Sequence, residues 1–325
     1  MITNKKILIT GGAGFMGSHL ADAFLSLGND VIVLDDFSTG TRQNLSKALE
    51  SERFTLVEGD IRDLRTCQKM AEGCDYILHS AAVGTVPRPV ENYADTVSVN
   101  VSGFVNVLTA AKDAGVSRVV YASSSSVYGD NADPVKTEDR TGKPITPYAV
   151  TKVCDELLAR KLSDLYSIKT IGLRYFNVFG PRQDAEGPYA AVIPRFIKAL
   201  RAHERPVIYG DGSRSRDFTY VANAVNANIL ALEAGEHAVN QVYNIGCGES
   251  TSLNELFYLV RKDLAEEDPA IAEIEPEYRD ARADDLPDSL ADISKAASIL
   301  KFFPSYTLEV ALRILARPAA HPSDK

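Results

Sequence analysis

Apolar residues recur with two different periods along the first half of the chain. Short runs rich in Val, Ile and Leu stand at Lys6 to Thr10, Asp30 to Leu34, Phe54 to Glu58, Tyr76 to Ser80, Arg118 to Ser123 and Lys169 to Tyr175. They are nearly continuous in hydrophobicity, as strands covered on both faces are. Between them, Gly17 to Leu27, Leu64 to Ala71, Asp95 to Ala114 and Tyr148 to Leu165 carry apolar residues at helical spacing. Strand and helix in alternation predict βαβ units, and six such strands with their crossovers predict an α/β fold on a doubly wound parallel sheet of the Rossmann type. From about Val178 the texture changes, with Gly, Pro and Arg gathering in Gly180 to Asp184 and Gly210 to Arg214. A second, smaller substrate-binding unit is expected to begin there. Tyr220 to Ala234 and Gln241 to Gly246 again read as a helix and a buried strand, so the chain is expected to return to the sheet. The expected division is 1–177 with 217–248 for the dinucleotide domain, 178–216 with 249–317 for the smaller one, and 318–325 as a loose tail.

Composition narrows the classes. The 325 residues are 45% hydrophobic and 24% charged, the range of a folded globular chain. The formal net charge of -9 leaves no basic surplus for a phosphate backbone, which argues against a nucleic-acid partner or an acidic membrane surface. The apolar run at the N-terminus is too short for a secretory signal, and no stretch reaches the roughly 18 apolar residues of a membrane span. Cys67, Cys74, Cys154 and Cys247 lack any C-x-x-C spacing, so they read as reduced thiols of a cytoplasmic protein with no bound metal.

Three motifs carry chemistry. Gly11-Gly-Ala-Gly14-Phe-Met-Gly17 follows the first strand and opens a helix. In that setting Gly11 permits a tight turn, Gly14 lets the backbone approach a pyrophosphate, and Gly17 lets helix and strand pack closely. Free N–H groups at the helix start then meet the phosphate charge. Asp35 ends the second strand where an acidic residue accepts hydrogen bonds from a ribose, and Asp36 beside it would repel a 2'-phosphate, so the cofactor reads as NAD. Asp60 and Ile61, after the third strand, are candidates for the adenine or ordinary turn residues. Tyr148-Ala-Val-Thr-Lys152 puts a phenol and an ammonium on one helix face, where the cation favours the phenolate. Taken alone that pair is common on solvated helices. The run Ser123-Ser-Ser-Ser126-Val-Tyr128-Gly at the end of the fifth strand changes this, because it lies on the sheet edge where open α/β proteins bind ligands, and a hydroxyl there both donates and accepts. His79, on an apolar strand, reads as a core histidine.

Together these stretches resemble the extended short-chain dehydrogenase/reductase family over nearly the whole chain. More narrowly, Gly84 to Arg88, Asn177 to Asp184, Tyr189 to Pro194 and Ser289 to Lys295 are similar to the NAD-dependent UDP-hexose 4-epimerases, in particular the UDP-N-acetylglucosamine 4-epimerases of surface-polysaccharide pathways. The resemblance implies Ser124, Tyr148 and Lys152 as catalytic residues. It implies a cofactor site of Gly11, Gly14, Phe15, Met16, Gly17, Asp35, Asp36, Asp60, Ile61, Val99, Tyr148, Lys152, Tyr175 and Val178. For the UDP-sugar it implies Thr85, Ser124, Ser125, Tyr148, Asn177, Val192, Tyr209, Arg216, Arg282, Asp285 and Ser289. One departure stands out: the family's Arg-x-Gly-Asp is here Arg282-Ala-Asp284-Asp285, which puts the role of Asp285 in question.

The implied reaction is reversible inversion at C4 of a UDP-hexose through a 4-keto intermediate, on UDP-N-acetylglucosamine and UDP-N-acetylgalactosamine. Arginines hold the nucleotide end, while the sugar end is loose enough to turn. Sister activities differ at the serine run: a 4,6-dehydratase would carry Thr-Asp-Glu where Ser124, Ser125 and Ser126 stand. A UDP-uronic acid 4-epimerase is the alternative, with Arg88 as the cation near C6, and a non-catalytic NAD-binding protein is the alternative of another class. Apolar residues beyond one stripe on the helices Val97 to Ala111 and Val150 to Leu165, among them Val99, Phe104, Leu108, Val153, Leu157 and Leu158, imply a homodimer.

Overall fold

The computed structural model describes residues 2–84, 93–185, 191–281 and 288–317. Its centre is a seven-stranded, wholly parallel sheet of β1 (Lys6–Thr10), β2 (Asp30–Asp35), β3 (Phe54–Glu58), β4 (Tyr76–His79), β5 (Arg118–Ser124), β6 (Thr170–Tyr175) and β7 (Gln241–Ile245). Their spatial order is β7-β6-β5-β4-β1-β2-β3, so the chain reverses direction across the sheet between β1 and β4. That reversal opens a crevice at the carboxyl ends of the strands, where ligands of such sheets bind. The seventh strand is the expected return of the chain, docked on β6 with Gln241 opposite Ile171.

Alternation along β1 explains the layers. Ile7 and Ile9 face a core shared with Leu20 and Phe24 of α1 (Phe15–Ser26) and Ala227 and Ala231 of a later helix. Leu8 faces the opposite core, with Phe104, Val107 and Leu108. The second layer holds α2 (Leu64–Ala71), α3 and α4 (Pro147–Tyr166). Helix α3 runs as Tyr93–Val97, a wide π turn Ser98–Gly103, and Phe104–Asp113. Its start lies a little before the expected Asp95. Helix α4 starts where Thr146 accepts from the Ala149 N–H and Pro147 takes the first turn, in which a missing N–H costs nothing.

The remaining helices are α5 (Val192–Arg201), α6 (Val221–Glu233), α7 (Leu253–Ala265) and α8 (Leu308–Ala316). α5, α7 and α8 close a separate core around Ile193, Phe196, Leu256, Phe257, Leu308 and Leu312. Helix α7 opens with a capping box, Ser252 and Glu255 satisfying each other's backbone N–H. Ala296, Leu300 and Phe302, placed with the smaller unit on sequence, lie instead in the sheet core beside Tyr243 and Ile245. The polar run Ser289 to Lys295 gives no period from which that packing follows. The expected tail, 318–325, lies outside the described residues. Among the described residues no helix is long and apolar enough to cross a membrane.

Candidate active site

The crevice holds a cavity of about 530 Å³ that begins at the glycine turn. Gly11 has φ +69°, which a side chain resists, and a Cβ there would come within 2.5 Å of the Ala81 nitrogen. A Cβ on Gly17 would come within 2.2 Å of the Gly11 carbonyl oxygen, so this position sets how closely α1 approaches the end of β1. Gly14 has no such contact below 3.3 Å, and its backbone lines the cavity. Gly11 and Gly17 are thus fixed by the packing of the turn, and Gly14 is the glycine left open to the cavity.

Asp35 stands at the end of β2 and is buried. Its carboxylate accepts from the Ala13 N–H at 2.8 Å and the Phe37 N–H at 2.8 Å, bracing the glycine turn against the strand. A carboxylate offers about four acceptor positions, so Asp35 keeps capacity for a ribose facing it. Burial raises its pKa above the usual carboxylate value. Asp36 also lines the cavity and accepts from Ser38. Arg42, the nearby cation, pairs with Glu58 at 3.3 Å. Phe15, Met16, Ile61, Val99, Tyr175 and Val178 line the cavity. Asp60 does not: its carboxylate is taken by the Arg62 guanidinium at 2.6 Å and the Arg62 N–H at 2.8 Å, as a turn residue's would be.

At the far end of the cavity Ser124, Ser125, Tyr148 and Lys152 come together. Ser124 is the last residue of β5 and its hydroxyl accepts from the Ser126 N–H at 3.1 Å, which turns the chain and leaves the O–H free to donate. The Lys152 ammonium lies 5.8 Å from the centre of the Tyr148 ring. It donates to the Ala122 carbonyl at 3.0 Å and to Asp155 at 3.3 Å. Burial pulls the lysine pKa down, but the negative charge of Asp155 and the neighbouring Tyr148 outweigh it and the net shift is upward, so the ammonium persists. Glu156, one turn on from Lys152, holds Arg174 of β6 through two 2.8 Å contacts and accepts from Ser123 at 2.5 Å. That ties α4 to the serine turn. His79 donates to or accepts from Thr10 at 2.7 Å, and burial, with Lys152 adding, pushes it down to about 3, so it is a neutral core residue.

Asn177, Val192, Tyr209 and Arg216 line a second cavity of about 300 Å³ between the two cores. Asn177 lines both cavities, and also a small one of about 40 Å³ with Ser125, Lys136, Arg216 and Ser289. Asp217 organises this corner. Its N–H donates to the Ser289 carbonyl at 2.9 Å, and its carboxylate accepts from the N–H groups of Cys247, Gly248 and Ala291. Burial pushes that carboxyl up to about 6. The expected substrate residues Thr85, Arg282 and Asp285, with Arg88 and Asp284, lie outside the described residues.

Sequence reasoning missed Ser38, Thr39, Gly59 and Ala81 to Gly84, which line the large cavity. They follow the carboxyl ends of β2, β3 and β4, and that position was the available signal. Asn100, in the π turn of α3, holds this last loop: its side chain accepts from the Val83 N–H at 2.8 Å and donates to the Val83 carbonyl at 3.0 Å and to Thr151 at 2.9 Å.

The NAD dependent epimerase/dehydratase family matches residues 7–246. The chain belongs to that family. It is 37% identical to the UDP-glucose 4-epimerase of Mycolicibacterium smegmatis, over 93% of this chain and 95% of that one. Among solved structures, a UDP-N-acetylglucosamine 4-epimerase from Methanobrevibacter ruminantium M1, in complex with UDP-N-acetylmuramic acid, superposes with a TM-score of 0.89 at 38% identity, over 97% of this chain and 98% of that one. A UDP-glucuronic acid 4-epimerase from Bacillus cereus, in complex with UDP-glucuronic acid and NAD, superposes with a TM-score of 0.85 at 29% identity, over 94% and 96%. As a member of an NAD-dependent family the chain has, in its large cavity, what NAD requires: an open glycine turn, the acidic end of β2, and the buried Lys152.

Proposed function

We propose that the protein inverts C4 of a UDP-hexose, with UDP-N-acetylglucosamine and UDP-N-acetylgalactosamine as the substrate pair. The observation that carries the reaction is the meeting of Ser124, Tyr148 and Lys152 at the end of a cavity that adjoins, at Asn177, the arginine-lined one. Tyr148 takes the proton of the 4-hydroxyl and later returns it. Ser124 hydrogen-bonds the same oxygen. Lys152 favours the phenolate and holds the nicotinamide ribose. NAD held in this cavity would supply reversible hydride transfer at C4 and would leave each turnover unchanged. Arg216 suits the diphosphate, for which a planar guanidinium fork is the matching donor. Holding the nucleotide end leaves the 4-keto sugar free to present its other face.

Ser289 supports the choice of sugar. Its hydroxyl is buried and has no hydrogen-bond partner among the described residues, beside the small cavity next to Ser125. A buried hydroxyl without a partner costs about 1–3 kcal/mol, which an acetamido group on the sugar would relieve. The test is to incubate the purified protein, without added cofactor, with UDP-N-acetylglucosamine, UDP-glucose and UDP-glucuronate, and to resolve the products. The N-acetylated sugar should turn over fastest. Ser289→Tyr should fill the cavity and lower the preference for that sugar over UDP-glucose by about tenfold or more. Unchanged preference would remove Ser289 from the sugar pocket, and fastest turnover of UDP-glucuronate would favour the uronate reading.

We also propose a homodimer. Of the residues first expected to face a partner, Val99, Phe104 and Leu108 are spent in the core of the chain itself. The apolar face that remains is Val97 of α3 with Val150, Leu157 and Leu165 of α4, between 45% and 64% exposed. Contiguous exposed apolar residues mark association surfaces. Light scattering should return twice the 35.3 kDa of one chain, and Leu157→Glu should halve it. A single-chain mass for the unmodified protein at micromolar concentration would refute the dimer.

A further inference from the structure

Asp155 stands one turn beyond Lys152 on α4. Tyr148, Lys152 and Asp155 fall at i, i+4 and i+7, so they share one helix face. The side chains of Lys152 and Asp155 are 2% and 1% exposed, with 3.3 Å between ammonium and carboxylate. The second carboxylate oxygen, Oδ1, is also buried and has no hydrogen-bond partner among the described residues. Such a half-satisfied group is a poor stabiliser, because desolvation of a buried ion pair offsets most of its attraction and a well-packed apolar side chain would serve as well. Its consequence falls on Lys152. An ammonium has three protons; Ala122 and Asp155 receive two, which fixes where the third points.

Resting on the assignment of Tyr148 and Lys152 as the reacting pair, we infer that Asp155 is a positioning residue and internal counter-ion: it aims the Lys152 ammonium and weakens the help that this cation gives to ionisation of Tyr148, so that it sets the acid edge of the active pH range. The surroundings isolate the effect. Glu156 is engaged by Arg174 of β6 and Ser123 of β5. Tyr121 of β5 is buried, and burial, with Glu156 and Asp155 adding, holds its phenol well above the ordinary value. His79 of β4 is neutral. Lys152 is thus the counter-charge that Asp155 meets. Burial raises the Asp155 carboxyl above the usual carboxylate value, with Lys152 opposing. While it is charged, the carboxylate offsets the ammonium; as it takes up a proton the offset fades. A neutral group at 155 would leave the field of the ammonium undiminished, so the acid limb lies at higher pH with the charge than without it.

Asp155→Asn keeps an oxygen for the ammonium and removes the charge. Measured on the NAD-bound enzyme with a UDP-hexose, the acid limb of kcat/KM should move to lower pH by about half a unit or more. The tyrosinate absorbance difference between Asp155→Asn alone and the same chain with Tyr148→Phe should titrate with the same shift relative to the parent pair, which reads the effect without turnover. If the Asn variant does not fold, Asp155→Ser replaces it. Limbs and tyrosinate titrations that superpose on those of the unmodified enzyme, or that move upward, overturn the inference. An unmodified enzyme inactive on every UDP-hexose would strike the epimerase reading instead, so the two failures are distinguishable.

Discussion

Tyr148→Phe should lower turnover by at least about a hundredfold while the protein keeps its NAD. The change removes one oxygen and leaves the ring, so the packing of α4 and the placement of Lys152 at 5.8 Å from the ring centre are retained. The lost group is the proton acceptor of the proposed reaction, and a positioned acid–base group contributes about 10²–10⁴-fold. Ser124 cannot replace it, since its hydroxyl accepts from the Ser126 N–H and, among the described residues, has no partner that would withdraw its own proton. The measurement pairs turnover of a UDP-hexose with the nucleotide released on denaturation. Near-normal turnover would remove Tyr148 from the chemistry, and loss of NAD along with activity would mean that the phenol acts mainly in cofactor binding.

Gly17→Ala should be the most damaging small substitution at the cofactor end. The added Cβ would lie 2.2 Å from the Gly11 oxygen, 2.6 Å from the Gly12 Cα and 2.8 Å from the Gly11 carbonyl carbon. All three are backbone atoms, so no side chain can swing aside. Either α1 moves off the sheet or the glycine turn deforms, and overpacking of this kind costs about 1–3 kcal/mol. Because the turn lines the cavity, the same displacement should weaken NAD retention by about tenfold or more, and the melting temperature should fall by several degrees. Gly115→Ala is the contrast. That residue has φ +66° and open space around it, so it strains the backbone away from the cavity and should lower the melting temperature without loss of NAD. Equal NAD loss in both variants would mean that general destabilisation, not the geometry of the turn, releases the cofactor.

Much of this protein is written locally. The alternation of apolar runs with helical spacing places β1 to β7 within a residue or two, because a strand covered on both faces must be apolar throughout and a helix on a sheet must be apolar on one side. The glycine turn is local in part: the positive φ of Gly11 is its own and the crowding at Gly17 arises between residues six apart, whereas the close approach of Ala81 to Gly11 comes from the next strand of the sheet. Tyr148 and Lys152 share a face because four residues are about one helical turn. The tertiary structure decided what depends on partners far along the chain. Asp35 and Asp60 both stand near strand ends, yet Arg62, anchored at 2.7 Å by the distant Asp95 of α3, captures Asp60, while the Ala13 N–H of the glycine turn holds Asp35 where it faces the cavity. Val99, Phe104 and Leu108 turned inward because α3 packs that face on the sheet, and a stripe that packs on a sheet and one that packs on a partner look alike in sequence. Lys136 reached the pocket of Ser289 through the two-residue pairing of Val135–Lys136 with Leu290–Ala291, too short to leave a period in either segment. Asp155 looks in sequence like one more polar residue of a surface helix; only the packing of α4 on the sheet takes it out of water and leaves the Lys152 ammonium as its counter-charge.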